Sequence, residues 1–214
     1  MSLEFNNSEV SRPLTALEGL AERVKDAEMN SVNDAVDCYG CHLREYGLKE
    51  CTDCAKEVFT PEVIENWGNL SPEERAKVAM DYADKVSESF GLSKYHGLVI
   101  EDMQPGCNGY NRGDGYAHLN ANLIKEDTSP FQVMDTITHE LRHQYQMECL
   151  GGYHPIPEET YNEWKKGLEM YTNDSPWAYD PWGYKYNPLE LDARYAGESV
   201  VREISKDFIN ENYA

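Results

Sequence analysis

The run His139-Glu140-Leu141-Arg142-His143 sets two imidazoles four residues apart with a carboxylate between them. On a helix, residues four apart share one face about a turn apart, so both rings can reach one cation while Glu140 addresses a water beside it. An ion held this way acidifies a water and polarises a carbonyl, and the glutamate can take the proton and pass it to a leaving amine. That is the chemistry of amide hydrolysis. A random sequence of this length, with this His and Glu content, would contain the pattern about 2% of the time.

A catalytic zinc takes three protein ligands and keeps one position open, so a third side chain must come from elsewhere. Carboxylates follow the motif from Glu158 to Glu198, and helical phase separates the last three, Glu190, Asp192 and Glu198. With Glu190 at zero, Ala193, Gly197, Val200, Val201, Ile204 and Phe208 all fall within about 80° of it, and Asp192 lies on the far side. Glu190 thus opens a buried stripe, where an uncompensated carboxylate is costly and a metal ion would resolve the cost. The competing reading is a helix-start glutamate stabilised by the macrodipole.

A second set of candidate ligands lies upstream. Cys38-Tyr39-Gly40-Cys41 and Cys51-Thr52-Asp53-Cys54 form paired CxxC motifs, the pattern of a four-thiolate zinc site in which each CxxC folds as a tight knuckle. Two disulfides or free thiols are the alternatives. A closed four-thiolate site leaves no open position, so its expected role is structural, anchoring the N-terminal helix. Cys149 reads as buried packing, and Cys107 sits in a Gly-rich loop without an assigned role.

The elements that must position these residues can be read from periodicity and caps. Leu14, Leu17, Leu20 and Val24 give a helix over about 14–36, leading into the cysteine segment. Ser71-Pro72-Glu73-Glu74 is a capping box, with Ala76, Ala79, Ala83, Val86 and Phe90 as the buried stripe and Gly91 as the stop. Leu98-Val99-Ile100 and Tyr116-Ala117-His118-Leu119-Asn120 read as strands. Ser129-Pro130 opens a helix over about 130–150 that carries the motif, with Val133, Met134, Ile137, Leu141 and Tyr145 on the face opposite the histidines. One side of that helix should enter the core and the other should face a cleft. A helix over about 157–171, an aromatic loop around Trp177 to Tyr186, and a last helix from Asn187-Pro188 toward Phe208 complete the chain. This order predicts an α+β fold, with an N-terminal helix and zinc knuckle over 1–60 and a second domain over 61–214.

The stretch from Asp135 to Gln146, followed by Tyr186-Asn187-Pro188-Leu189-Glu190-Leu191-Asp192-Ala193-Arg194, resembles the small gluzincin-type metallopeptidases, minimal zincins that include metallopeptidase domains of bacterial polymorphic toxins and phage-related proteins. The resemblance spans about Gly97 to Phe208. It implies a zincin-like domain with a short antiparallel or mixed sheet, zinc on His139, His143 and Glu190, and Glu140 as general base. It also implies an edge strand along which an extended peptide lies, for which Tyr116–Asn120 is the candidate. Better-known gluzincins carry an acidic residue four positions after the ligand glutamate, where this chain has Arg194. An oxyanion stabiliser is expected among His154, Tyr184, Tyr186 and Tyr195.

Composition narrows the partners. With 19 Lys+Arg against 39 Asp+Glu, the formal charge of −20 opposes binding to phosphate backbones and anionic lipids, and no basic patch flanks the cysteines. No apolar run approaches the roughly 18 residues of a membrane span, and the start has no secretory signal pattern. The expectation is a cytoplasmic protein, or one exported by a route without a classical signal peptide. The expected activity is that of a zinc-dependent peptidase on a peptide or protein, with no nucleic acid or membrane partner. The alternative is a non-catalytic interaction module that retains a zincin core.

Overall fold

A computed structural model of the protein describes residues 46–125, 128–172 and 186–213. The expected helix at 14–36, Cys38, Cys41 and most of the aromatic loop, including Tyr184, lie outside the described residues. Helix α1 (Leu48–Val58) follows Gly47 in the left-handed region, φ 74°, where a Cβ would strike Phe90 and the Ser89 carbonyl. Thr60 and Pro61 then open α2 (Pro61–Asn66), which runs into a 3₁₀ turn, Trp67–Asn69. Helix α3 (Pro72–Ser89) starts with the expected capping box: the Ser71 hydroxyl accepts from the Glu74 N–H and the Glu74 carboxylate accepts from the Ser71 N–H.

Three strands follow: β1 (Gly97–Glu101), β2 (Gly109–Asn111) and β3 (Tyr116–Asn120). Their order in the sheet is β1-β3-β2. β3 runs parallel to β1, with Val99 opposite His118, and antiparallel to β2, with Tyr110 opposite His118. The sheet is therefore mixed, within the expected range, but the expectation that Tyr116–Asn120 forms the edge is overturned. Its backbone is paired on both sides and cannot receive a further strand. The edges among the described residues are β1 and β2.

A short helix α4 (Asn122–Lys125) leads to α5 (Pro130–Leu150), opened by Ser129, whose hydroxyl accepts from the Phe131 N–H, and followed by Gly151. Helices α6 (Glu158–Thr172) and α7 (Pro188–Tyr213) complete the described chain. The architecture is α+β. Helix α3 packs on β1 and α5 on β2 and β3; α7 lies along α5, α1 bridges α3 and α7, and α6 touches both α5 and α7.

Val133, Met134, Ile137, Leu141 and Tyr145 are buried as their phase requires. Helix α5 is nevertheless enclosed nearly all round, because Thr138, Arg142, Gln144, Gln146 and Glu148 are buried too. The expected contrast between a core side and a cleft side is replaced by a polar buried flank that needs partners. Helix α1 falls on the N-terminal side of the expected boundary at residue 60, yet it packs into this core, and every described residue belongs to one unit, Cys38–Ala214. No described helix is long and apolar enough to cross a membrane.

Candidate metal centre

The motif histidines project from the middle of α5, one turn apart, with ring centroids 4.7 Å apart at 86°. Glu190 reaches them from the first turn of α7. The start of α7 is fixed by Asn187, whose Oδ1 accepts from the Leu189 N–H at 2.9 Å and whose Nδ2 donates to the Gly167 carbonyl of α6 at 3.0 Å. About two turns farther along, Gly197 lies directly on Asp135 of α5, where any Cβ would collide with the Asp135 carboxylate and its carbonyl, 2.8 Å away. This close helix approach brings a short carboxylate side chain within reach of both imidazoles.

His139, His143 and Glu190 each offer one ligand atom, all within 4.8 Å of one another, and form the metal-capable group found among the described residues. His143 Nε2 lies 3.1 Å from His139 Nε2 and 3.2 Å from Glu190 Oε1, and His139 Nε2 lies 3.5 Å from Glu190 Oε2. Those separations bracket the edge of about 3.3 Å that zinc–ligand bonds of about 2.0–2.1 Å give in a tetrahedron. The donor set of two imidazole nitrogens and a carboxylate also suits a divalent ion that tolerates both.

Glu190 is 4% exposed. Burial opposes its charge, but His139 and His143 hold its carboxyl far below the usual carboxylate range. His139 is lowered by burial against the pull of Glu190. His143 is also buried, yet the Glu190 and Glu140 carboxylates outweigh that and raise it to about 9.

Glu140 lies beside this group and is 7% exposed. Burial, reinforced by the charges of Glu190 and Asp135 and opposed by His143, pushes its carboxyl up to about 7. Strand β2 presses on it: a Cβ at Gly109 would stand 3.1 Å from Glu140 Cγ and 2.7 Å from Thr136 Cγ2. The edge strand thus runs against the helical turn that carries the motif carboxylate. Asp135, one turn earlier on α5, is also pushed up to about 7 by burial and by Glu198, with Arg194 opposing. Arg194 also opposes the burial that raises the Glu198 carboxyl, so it acts electrostatically on both Asp135 and Glu198.

The remaining candidates separate. The Nε2 of His154 meets Glu148 Oε2 at 3.1 Å and its ring packs on Tyr145, so it belongs to the C-terminal end of α5. There Glu148 also accepts from the Ser93 N–H and hydroxyl and from the Lys94 N–H. Tyr186 is exposed, and Tyr195 is half-buried, five residues after Glu190.

Cys51 and Cys54 lie three residues apart inside helix α1, not in a loop knuckle. Cys51 is 0% exposed, and Cys54 Sγ lies 3.4 Å from Ser89 Oγ; both are free thiols among the described residues. Cys149 is buried as expected.

Sequence reasoning missed Gln146, Asp192, Gly109 and the buried role of Arg142. Gln146 sits at i+3 from His143, a readable spacing, but nothing local announces that its partner is 46 residues away. Comparisons with protein-family models, with curated proteins and with solved structures return no match. The functional reading accordingly rests on the site itself.

Proposed function

We propose that the chain is a zinc-dependent metallopeptidase of the gluzincin type, hydrolysing peptide bonds in a peptide or protein. The observation that carries this reading is the convergence of His139 Nε2, His143 Nε2 and the Glu190 carboxylate at tetrahedral spacing, with Glu140 buried beside them. Zinc on those three residues would supply a Lewis acid for the scissile carbonyl and lower the pKa of a water.

Glu140 acts as the general base. Its proton affinity, raised by burial to about 7, lets a carboxylate take a proton from water and return it to the departing amine near neutral pH. Substrate lies along the free edge of β2, where an extended peptide adding a strand would run past Glu140. A second, structural zinc on Cys38, Cys41, Cys51 and Cys54 belongs to the same proposal and rests on their spacing.

The test is chelator-sensitive cleavage of an unfolded protein substrate by the purified chain, alongside Glu140→Gln. Parent cleavage that stops on chelation, with the variant inactive but still holding zinc, supports the reading. Undiminished turnover in the variant refutes Glu140 as base. Zinc binding without chelator-sensitive cleavage favours the interaction module.

A further inference from the structure

Building on that metal reading, we propose that Gln146, held by Asp192 and Arg142, is a positioning residue that fixes the proton of His143 on Nδ1 and so turns the Nε2 lone pair toward the metal.

The hydrogen-bond inventory of the network assigns the proton. Gln146 Nε2 lies 2.9 Å from the Leu189 carbonyl oxygen and 2.7 Å from Asp192 Oδ2. A main-chain carbonyl and an ionised carboxylate accept only, so the amide nitrogen must face them and the amide oxygen must face the other way. That oxygen lies 2.8 Å from His143 Nδ1. An amide oxygen cannot donate, so Nδ1 carries the hydrogen, and in the neutral ring Nε2 is left with the lone pair a metal requires.

Asp192 is itself immobilised. Arg142 donates from Nε to Asp192 Oδ2 at 2.8 Å and from Nη2 to Oδ1 at 3.1 Å, the two-pronged geometry that fixes a carboxylate in both position and plane. Arg142 is 0% exposed, and its guanidinium stands over the rings of Phe90 and Tyr145. Its Nη1 donates to the Tyr46 carbonyl at 3.1 Å. The order Tyr46, Arg142, Asp192, Gln146, His143 therefore runs from the start of the described chain to the metal centre with every group oriented by the one before.

The first turn of α7 grips His143 from both nitrogens. Glu190 stands at Nε2, and Asp192, two residues later and on the other face of the helix, acts through Gln146 at Nδ1. This explains how the chain manages with Arg194 in place of an acidic residue: the orienting carboxylate sits two positions after the ligand glutamate, and a glutamine spans the distance.

The test uses the full chain and zinc alone, read by calorimetric titration. Gln146→Leu keeps the bulk and removes the acceptor, and its zinc affinity should fall about 10- to 100-fold. Asp192→Asn should weaken zinc binding in the parent and change it little in the Gln146→Leu background, since both act through one path. Equal zinc affinity in parent and Gln146→Leu, or additive losses when Asp192→Asn is combined with Gln146→Leu, overturns the proposal. Should the variants fail to fold, nitrogen NMR of the zinc-loaded parent decides: His143 Nδ1 should bear a proton shielded from exchange, and a metal-bound or freely exchanging Nδ1 contradicts it. A parent that binds no zinc sinks the metal reading itself, which separates that failure from failure of the relay.

Discussion

Helices α1 and α5 each carry two side chains of types that can ligate a metal within one turn, Cys51 with Cys54 on the first and His139 with His143 on the second, and α7 packs on both helices. At α5 the partner helix delivers Glu190 into the space between the two rings. At α1 the described surroundings supply packing: Cys51 is sealed in the core, where burial drives its thiol upward, and Cys54 faces Ser89 and the Lys85 carbonyl. Spacing on one helix prepares a site, and a third ligand from a separate element completes it. For the thiols that element would be Cys38 and Cys41, outside the described residues.

The largest effect should come from the proposed reaction centre. Glu140→Gln should lower turnover by about 10²- to 10⁴-fold with zinc content unchanged, measured by peptide cleavage and metal analysis on the same sample. If zinc is lost along with activity, Glu140 helps to hold the ion, and the division of labour at α5 is wrong.

Next comes the support behind the histidines. Arg142→Met leaves the buried Asp192 carboxylate without its cation, which should cost about 3–5 kcal/mol in urea unfolding. A cost below about 1 kcal/mol would mean that the Asp192 pair is not what organises this flank.

Glu148 offers a milder probe at the far end of α5. Removing its charge with Glu148→Gln weakens five polar contacts, to Ser93, Lys94, Gln144 and His154, and should cost about 1–3 kcal/mol. Burial alone would raise its pKa, but the Ser93 and Lys94 donors outweigh that and lower it from the ordinary 4.5. A depressed carboxylate stabilises the fold above its unfolded pKa and loses that contribution as pH falls through the folded value. The difference between parent and variant should therefore be full near pH 6 and shrink below pH 4.5; a constant difference would assign the cost to packing.

The smallest effect sharpens the thiol side. With zinc chelated, Cys51→Ala should cost about 1–2 kcal/mol for the vacated space. With zinc present the cost should be larger, because the structural ion would be lost as well. Equal costs in both conditions would leave the α1 pair with packing only.

What the sequence made legible was local. Ser71 to Glu74, Gly91 and Ser129-Pro130 bound their helices through contacts within a few residues, and the phase of Glu190 followed from the stripe that continues to Phe208. Thr60-Pro61 carries the same kind of start signal for α2.

Three features were illegible for a physical reason. Strand β2 has three residues, one of them glycine, too few for a period-two pattern. The central place of β3 depends on pairings with both neighbours that no local spacing encodes. Asp192 was correctly turned away from Glu190 by phase, but that face is buried as well, against Arg142 and Gln146. A helix enclosed on two sides defeats a rule that assigns one face to the core.

Anomalous diffraction at the zinc edge, from crystals of the zinc-loaded chain, tests the metal centre most directly. One peak should stand about 2.0–2.2 Å from His139 Nε2, His143 Nε2 and a Glu190 oxygen together. No zinc density at these atoms, with the three side chains turned apart, would contradict it.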